Sequence, residues 1–263
     1  MVISKWNNET LTRNNTPTNI KEEEPKPSNR AFTFRKIQQP NERKPAYSEA
    51  IIESRPLQRL LGKILRDYCG DDEVTEMKSP FCELVWKWSE AHKEVGKVVD
   101  SENEEEKTAR QDLQELLKVI SKLSGLEQLD RYFKELPNLT RDKSITHEAL
   151  WTIFPTGRLV IGRPFMDEPQ LFFVIDSDVF PEDPRDPFHM QCYGFDWNGT
   201  HFNRVPYEMT INFFEDKKSI SELSYYPLDY YQEEGRTAGE ARKSLEQKLL
   251  ERGQRYRDIC ISP

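Results

Sequence analysis

Polar residues prevail over the first stretch of the chain, and regular apolar spacing begins only near Tyr47. From there Leu57, Leu60, Leu61, Ile64 and Leu65 recur at i, i+3, i+4, i+7 and i+8, the spacing of one helical face. Pro56 suits the first turn of that helix, and Gly70 its end. A second helix is expected to start at Ser79-Pro80, with Phe81, Leu84, Val85 and Trp88 on one side. The acidic run from Asp100 to Glu106 then leads into a third helix, where carboxylates favour the positive N-terminal pole. That helix carries Leu113, Leu116, Leu117, Ile120 and Leu123. Beyond Gly125 come Leu126, Leu129, Phe133 and Leu136, closed by Pro137. The apolar phase slips at Gly125, so a break or kink is expected there.

After Thr146 the period changes from helical to extended. Strands are expected at Thr152–Phe154, Arg158–Ile161, Leu171–Ile175 and Phe188–Phe195. Asn198-Gly199 is a strong short hairpin signal. Val205, Tyr207, Met209, Ile211 and Phe213 then alternate with polar positions and Pro206, giving a strand with one wet face. Its proline places it at a sheet edge or a strand start. Thr237 and Glu240 have the spacing of a capping box ahead of a helix bearing Leu245, Leu249, Tyr256 and Ile259. The expected class is therefore α+β: an N-terminal helical layer, then a small antiparallel β-sheet or partly open barrel, then a C-terminal helix. The expected divisions are a disordered tail over 1–45, a helical region over 46–145, a β domain over 146–232 and a C-terminal helix over 233–263.

Composition narrows the function classes. Charged residues make up 32% of the 263, and acids exceed bases by 46 to 38, a net charge of -8. This acidic balance argues against a general affinity for nucleic acid or anionic membrane. No apolar run reaches the length of a membrane span, and the N-terminus has no signal-peptide pattern. An intracellular place, cytoplasmic or nuclear, is expected, with Cys69, Cys82, Cys192 and Cys260 as free thiols.

Reaction chemistry finds little footing. Gly157 and Gly162 have the glycine spacing of a phosphate loop, but Arg163-Pro164 follows where Lys and Ser/Thr are needed. His189, Cys192 and His201 are too few for a metal site, and strand alternation turns His189 and Cys192 to opposite faces. No catalytic residue, cofactor or metal is expected. The aromatic wealth of the β region, few of whose neighbours are basic, reads first as core. Any part left exposed reads as a protein-binding surface. Trp151, Arg163, Asp196, Trp197 and Phe202 are the candidate surface residues. Arg163 and Asp196 are expected to pair across one end of the sheet, and Trp197 to pack back onto it.

Several segments taken together resemble a known family. They are Leu150-Trp-Thr-Ile-Phe-Pro155 with Gly157, Arg163 through Phe172, Gly194 through Gly199 with Phe202, and Tyr226-Pro-Leu228. As a set they are similar to the N-terminal domain of fungal AAA-type ATPases, over roughly residues 50 to 260. The resemblance implies a regulatory or substrate-engaging module whose partner is a protein or an ATPase substrate. No position matches Walker A, Walker B or an arginine finger, so ATP hydrolysis is not carried over. Two expectations follow: the module works alone or in trans, or it is the front end of a longer protein with an AAA core. A single-stranded nucleic-acid binder, using the aromatic sheet or the basic helix face, ranks behind both.

Overall fold

The computed structural model describes residues 30–38, 45–70, 72–97, 103–180 and 183–261. Two compact units divide them: one runs to Phe81 and includes Ser89–Leu126, the other comprises Cys82–Trp88 and everything from Glu127.

In the first unit, strands β1 (Phe32–Gln38), β2 (Pro45–Ile52) and β3 (Glu76–Lys78) form an antiparallel sheet in the order β1-β2-β3. Helices α1 (Arg55–Ile64) and α2 (Arg66–Cys69) fall between β2 and β3. Helix α3 (Cys82–Trp86) belongs to the second unit, and α4 (Trp88–Val95) and α5 (Glu104–Leu123) follow. Ser54 caps α1 and Pro56 sits in its first turn, as the sequence requires. Asn103 caps α5, and Glu104, Glu105 and Glu106 fill its first turn. Leu57 and Leu61 of α1 and Leu113, Leu116 and Ile120 of α5 are each 0% exposed. The Ser48 hydroxyl, also fully buried, donates to the Ser124 carbonyl and satisfies the chain where α5 stops. Gly125, at φ +83°, makes the expected break.

Two expectations need correction here. Within the expected tail, Phe32–Gln38 forms β1, paired along its length with β2. The pairing is non-local, and Phe34 also meets the Phe81 ring at 6.0 Å, so polar local composition hid it. The rest of the expected tail, residues 1–29 and 39–44, lies outside the described residues. The region read as purely helical also carries β2 and β3.

The second unit adds α6 (Glu127–Asp142), β4 (Ser144–Thr146) and a 3₁₀ segment, His147–Ile153. The sheet strands are β5 (Leu159–Phe165), β6 (Glu168–Ser177), β7 (Phe188–Trp197) and β8 (Phe202–Ile211). The short β9 (Lys217–Ser219) pairs with β4, and β10 (Tyr225–Pro227) precedes α7 (Ala238–Ile261). The main sheet is open and antiparallel, in the order β10-β5-β6-β7-β8, and does not close into a barrel. Strand β8 is an edge, in keeping with Pro206. Gly162 lets β10 approach β5, because a Cβ there would lie 2.3 Å from the Tyr225 ring.

One sheet face buries Phe172, Val174, Phe188, Met190, Cys192, Met209 and Ile211, together with Phe154. The other face is covered at its β5 side by α7, whose Ala241 and Leu245 pack with Ile161, Leu228 and Tyr231. Thr237 and Glu240 form the expected capping box: the Thr237 N–H donates to Glu240 at 2.9 Å, and the Glu240 N–H to Thr237 at 3.4 Å.

The structure corrects the sequence reading at two more places. Helix α6 runs through Pro137, because Leu139 beyond it is buried and the added turn offsets the lost hydrogen bond. Thr152–Phe154 is no strand: Thr152 and Ile153 close the 3₁₀ segment, and the Thr152 hydroxyl bonds back to the Ala149 carbonyl at 2.7 Å. Along α7, Leu245 is buried and Ile259 is 75% exposed.

Candidate functional site

The β7–β8 hairpin is built by its turn. Asn198 Oδ1 accepts from the N–H groups of Thr200 and His201, each at 2.9 Å, and Gly199 takes φ +97°. Trp197 and Phe202 thus stand opposite each other, their rings 5.2 Å apart at 63°. The Phe202 ring in turn lies 6.0 Å from Tyr256 of α7. The Tyr256 hydroxyl donates to Asp196, and the Trp197 N–H donates to the same oxygen at 2.7 Å. The Tyr256 bond, then the backbone bond, holds the Asp196 carboxyl below its usual range. The same bond raises the Tyr256 phenol to about 12. Trp197 is half-buried and packed back, as expected, while Phe202 is 39% exposed.

The other candidates fall apart from this cluster. Trp151 is 2% exposed; its carbonyl accepts from the Trp86 indole at 3.0 Å and its ring meets Phe180 at 5.5 Å. It is a core residue. Arg163 does not pair with Asp196. Its guanidinium donates to the Asp167 carbonyl at 2.9 Å, within the β5–β6 turn, while Asp196 is taken by Tyr256. Strand β6 stands between the two strands, a separation that turn placement does not show. At that turn Met166 and Asp167 both have positive φ, and Met166 is 96% exposed.

Beside the hairpin, an aromatic strip lies on the sheet face away from the Phe172 core. Phe173 and Tyr193 stack at 5.1 Å and 13°, and Tyr193 meets Phe195 at 5.8 Å. The Arg204 guanidinium sits 4.7 Å from the Tyr193 ring. Phe195 is 58% exposed. This strip escaped the sequence reading because periodicity gives alternation but not which face is covered.

A cleft of about 390 Å³ opens between α6, the start of the 3₁₀ segment, Phe180 and the stretch from Phe213 to Asp216. His147 lines it and is 6% exposed; the polar neighbours of its ring nitrogens are the Ile211 and Pro184 carbonyls, which can only accept, and no hydrogen-bond donor among the described residues reaches the ring. Phe213 and Phe214 stand edge-on to the imidazole at 5.1 and 5.3 Å. Burial holds the imidazole below its ordinary 6.5, with the Ile211 and Pro184 carbonyls and Glu148 pulling weakly the other way. Sequence reasoning missed His147, because the cleft joins segments far apart in the chain.

The thiols and histidines join no cluster of three or more metal-type ligands among the described residues. Burial raises Cys82 to about 12 and Cys192 to about 11, which makes both poor nucleophiles. His189 contacts the Thr210 hydroxyl at 3.2 Å, on the face opposite buried Cys192. The basic residues of α7 are largely engaged by neighbouring acids: Arg242 with Asp229 and Glu246, Lys248 with Glu233, Arg252 with Glu168. Among the described residues no helix is long and apolar enough to cross a membrane.

Residues 135–232 match a domain of unknown function, DUF7025. The match begins inside α6 and ends just past Tyr231, so it takes in the main sheet, the hairpin and most of the cleft walls, and leaves out α7 and the first unit. No curated protein and no solved structure matches the chain.

Proposed function

We propose that the second unit is a non-catalytic recognition module that binds a polypeptide, either the substrate or the subunit of an AAA-type ATPase. The supporting observation is the aromatic strip, where Phe195 stands 58% exposed beside the stacked Phe173 and Tyr193. Grouped aromatic surface of this kind has a cost in water that a partner removes. The link to AAA-type ATPases rests on the segment resemblance given above, carried by Leu150–Pro155, Arg163–Phe172 and Gly194–Gly199. Under this reading the module acts in trans or at the front of a longer protein; the coding sequence beyond Pro263 distinguishes the two.

A photoreactive residue placed at position 195 tests the module directly. It should cross-link one protein from native extract, an AAA-type ATPase or a protein that such an enzyme handles. Phe195→Ser should abolish that capture and leave thermal unfolding unchanged. Capture that survives Phe195→Ser ends the proposal. Single-stranded nucleic acid is the remaining reading, favoured by Arg204 over Tyr193. It predicts binding at low salt that falls steeply as salt is raised.

A further inference from the structure

The geometry points to the His147 cleft as a binding site for a lysine or arginine side chain of a protein partner. The site is separate from the aromatic strip and does not depend on the strip's role. Three observations carry it.

The first is the unfilled imidazole. His147 is 6% exposed and lines the cleft, yet its polar neighbours are the Ile211 and Pro184 carbonyls, and no donor among the described residues serves the ring. A buried polar group left unpaired costs free energy, and an incoming group that pairs with it removes that cost. The ring is neutral near pH 7, so one nitrogen is a bare acceptor. The carbonyls beside the ring serve its N–H, so the acceptor nitrogen is what remains, and a donor such as an ammonium or guanidinium suits it. Reaching it takes a turn of Phe213, the 39% exposed ring beside it.

The second is the wall. Tyr132, Trp151, Phe180, Phe213 and Phe214 line the cleft, and aromatic faces attract ammonium and guanidinium groups. Lys218 follows this preference within the chain, with its Nζ 5.8 Å from the Phe214 ring.

The third is charge. Glu135, Glu148, Glu215 and Asp216 line the cleft against one cation, Arg131. Arg131 is held by Glu148 at 2.8 Å, and Lys217 pairs with Glu135 at 3.0 Å. Glu215 and Asp216 are exposed and make no ion pair among the described residues, so they are open to an incoming cation. An apolar floor with open carboxylates at the rim fits a side chain that is aliphatic along its stem and cationic at its tip.

Calorimetric titration of the full chain tests this with four acetylated, amidated peptides that differ only at the central residue: Lys, Arg, norleucine or Glu. The Lys and Arg peptides should bind, the norleucine peptide about tenfold or more weakly, and the Glu peptide not at all. The Lys peptide should also shift the ring-proton resonances of His147. Glu215→Gln with Asp216→Asn, two exposed positions that leave the core intact, should weaken the Lys peptide about tenfold. Lys218→Ala, which removes the internal competitor, should tighten it. Equal affinity for Lys and norleucine overturns the inference. So does saturable binding that leaves His147 unmoved, unchanged affinity in the Glu215→Gln/Asp216→Asn variant, or no binding of either cationic peptide.

Discussion

The two units use their apolar residues differently. In the first, the large hydrophobics left notably exposed among the described residues are Tyr47 and Leu123. In the second they include Phe165, Met166, Ile175, Phe195, Phe202, Phe213, Leu250, Tyr256, Ile259 and Ile261. Both have a fully buried core, so the contrast is not one of stability against looseness. The α1 and α5 faces of the first unit are used up by packing. The second unit packs one sheet face fully and keeps apolar side chains over. Surplus exposed apolar surface on a well-packed body is the physical mark of a surface that meets something else.

That contrast can be broken or sharpened by substitution. The largest effect is expected in the second unit's core, where Phe172→Ala removes a ring 1% exposed. It should cost about 3–5 kcal/mol in chemical denaturation. Leu116→Ala in α5, 0% exposed, should cost about 2–5 kcal/mol in the same measurement and leave ligand binding by the second unit unchanged. A loss of binding there breaks the division of labour. Gly162→Val drives a side chain into the Tyr225 ring and should cost about 1–3 kcal/mol, read as lost protection of the β10–β5 amides in hydrogen exchange.

Thr237→Ala should cost about 1 kcal/mol, seen as fraying of the first turn of α7, since the capping box is lost. The smallest effect concerns pH. Burial puts the folded-state pKa of His147 below the unfolded 6.5, so the unfolded chain binds this proton first. Its contribution to stability is therefore full above pH 6.5 and is lost as pH falls from there through the folded-state value. His147→Phe should flatten that part of the stability–pH curve. A slope unchanged by the substitution would show the imidazole to be hydrated.

Much of the fold was legible beforehand. The leucine spacing of α1 and α5, the break at Gly125, the Asn198-Gly199 hairpin, the edge strand with Pro206 and the Thr237–Glu240 cap are all local signals, and each acts within a few residues. The candidate surface was legible only in part. Trp197, Phe202 and Asp196 come together as neighbours of one turn, and Tyr256 joins them from a distant helix. Trp151 went into the core and Arg163 found its own turn.

What the chain fixed by itself was whatever depends on near neighbours: periodicity, caps, turn chemistry and the alternation of strand faces. Tertiary structure alone decided which side of an alternating strand is covered, and so left Phe195 in water and Phe172 out of it. It also paired β1 with β2, carried α6 past Pro137, and set two aromatic rings edge-on to a buried imidazole. Each of these is settled by contacts between residues far apart in the chain, whose free energy exceeds the local preference and leaves no trace in the local pattern.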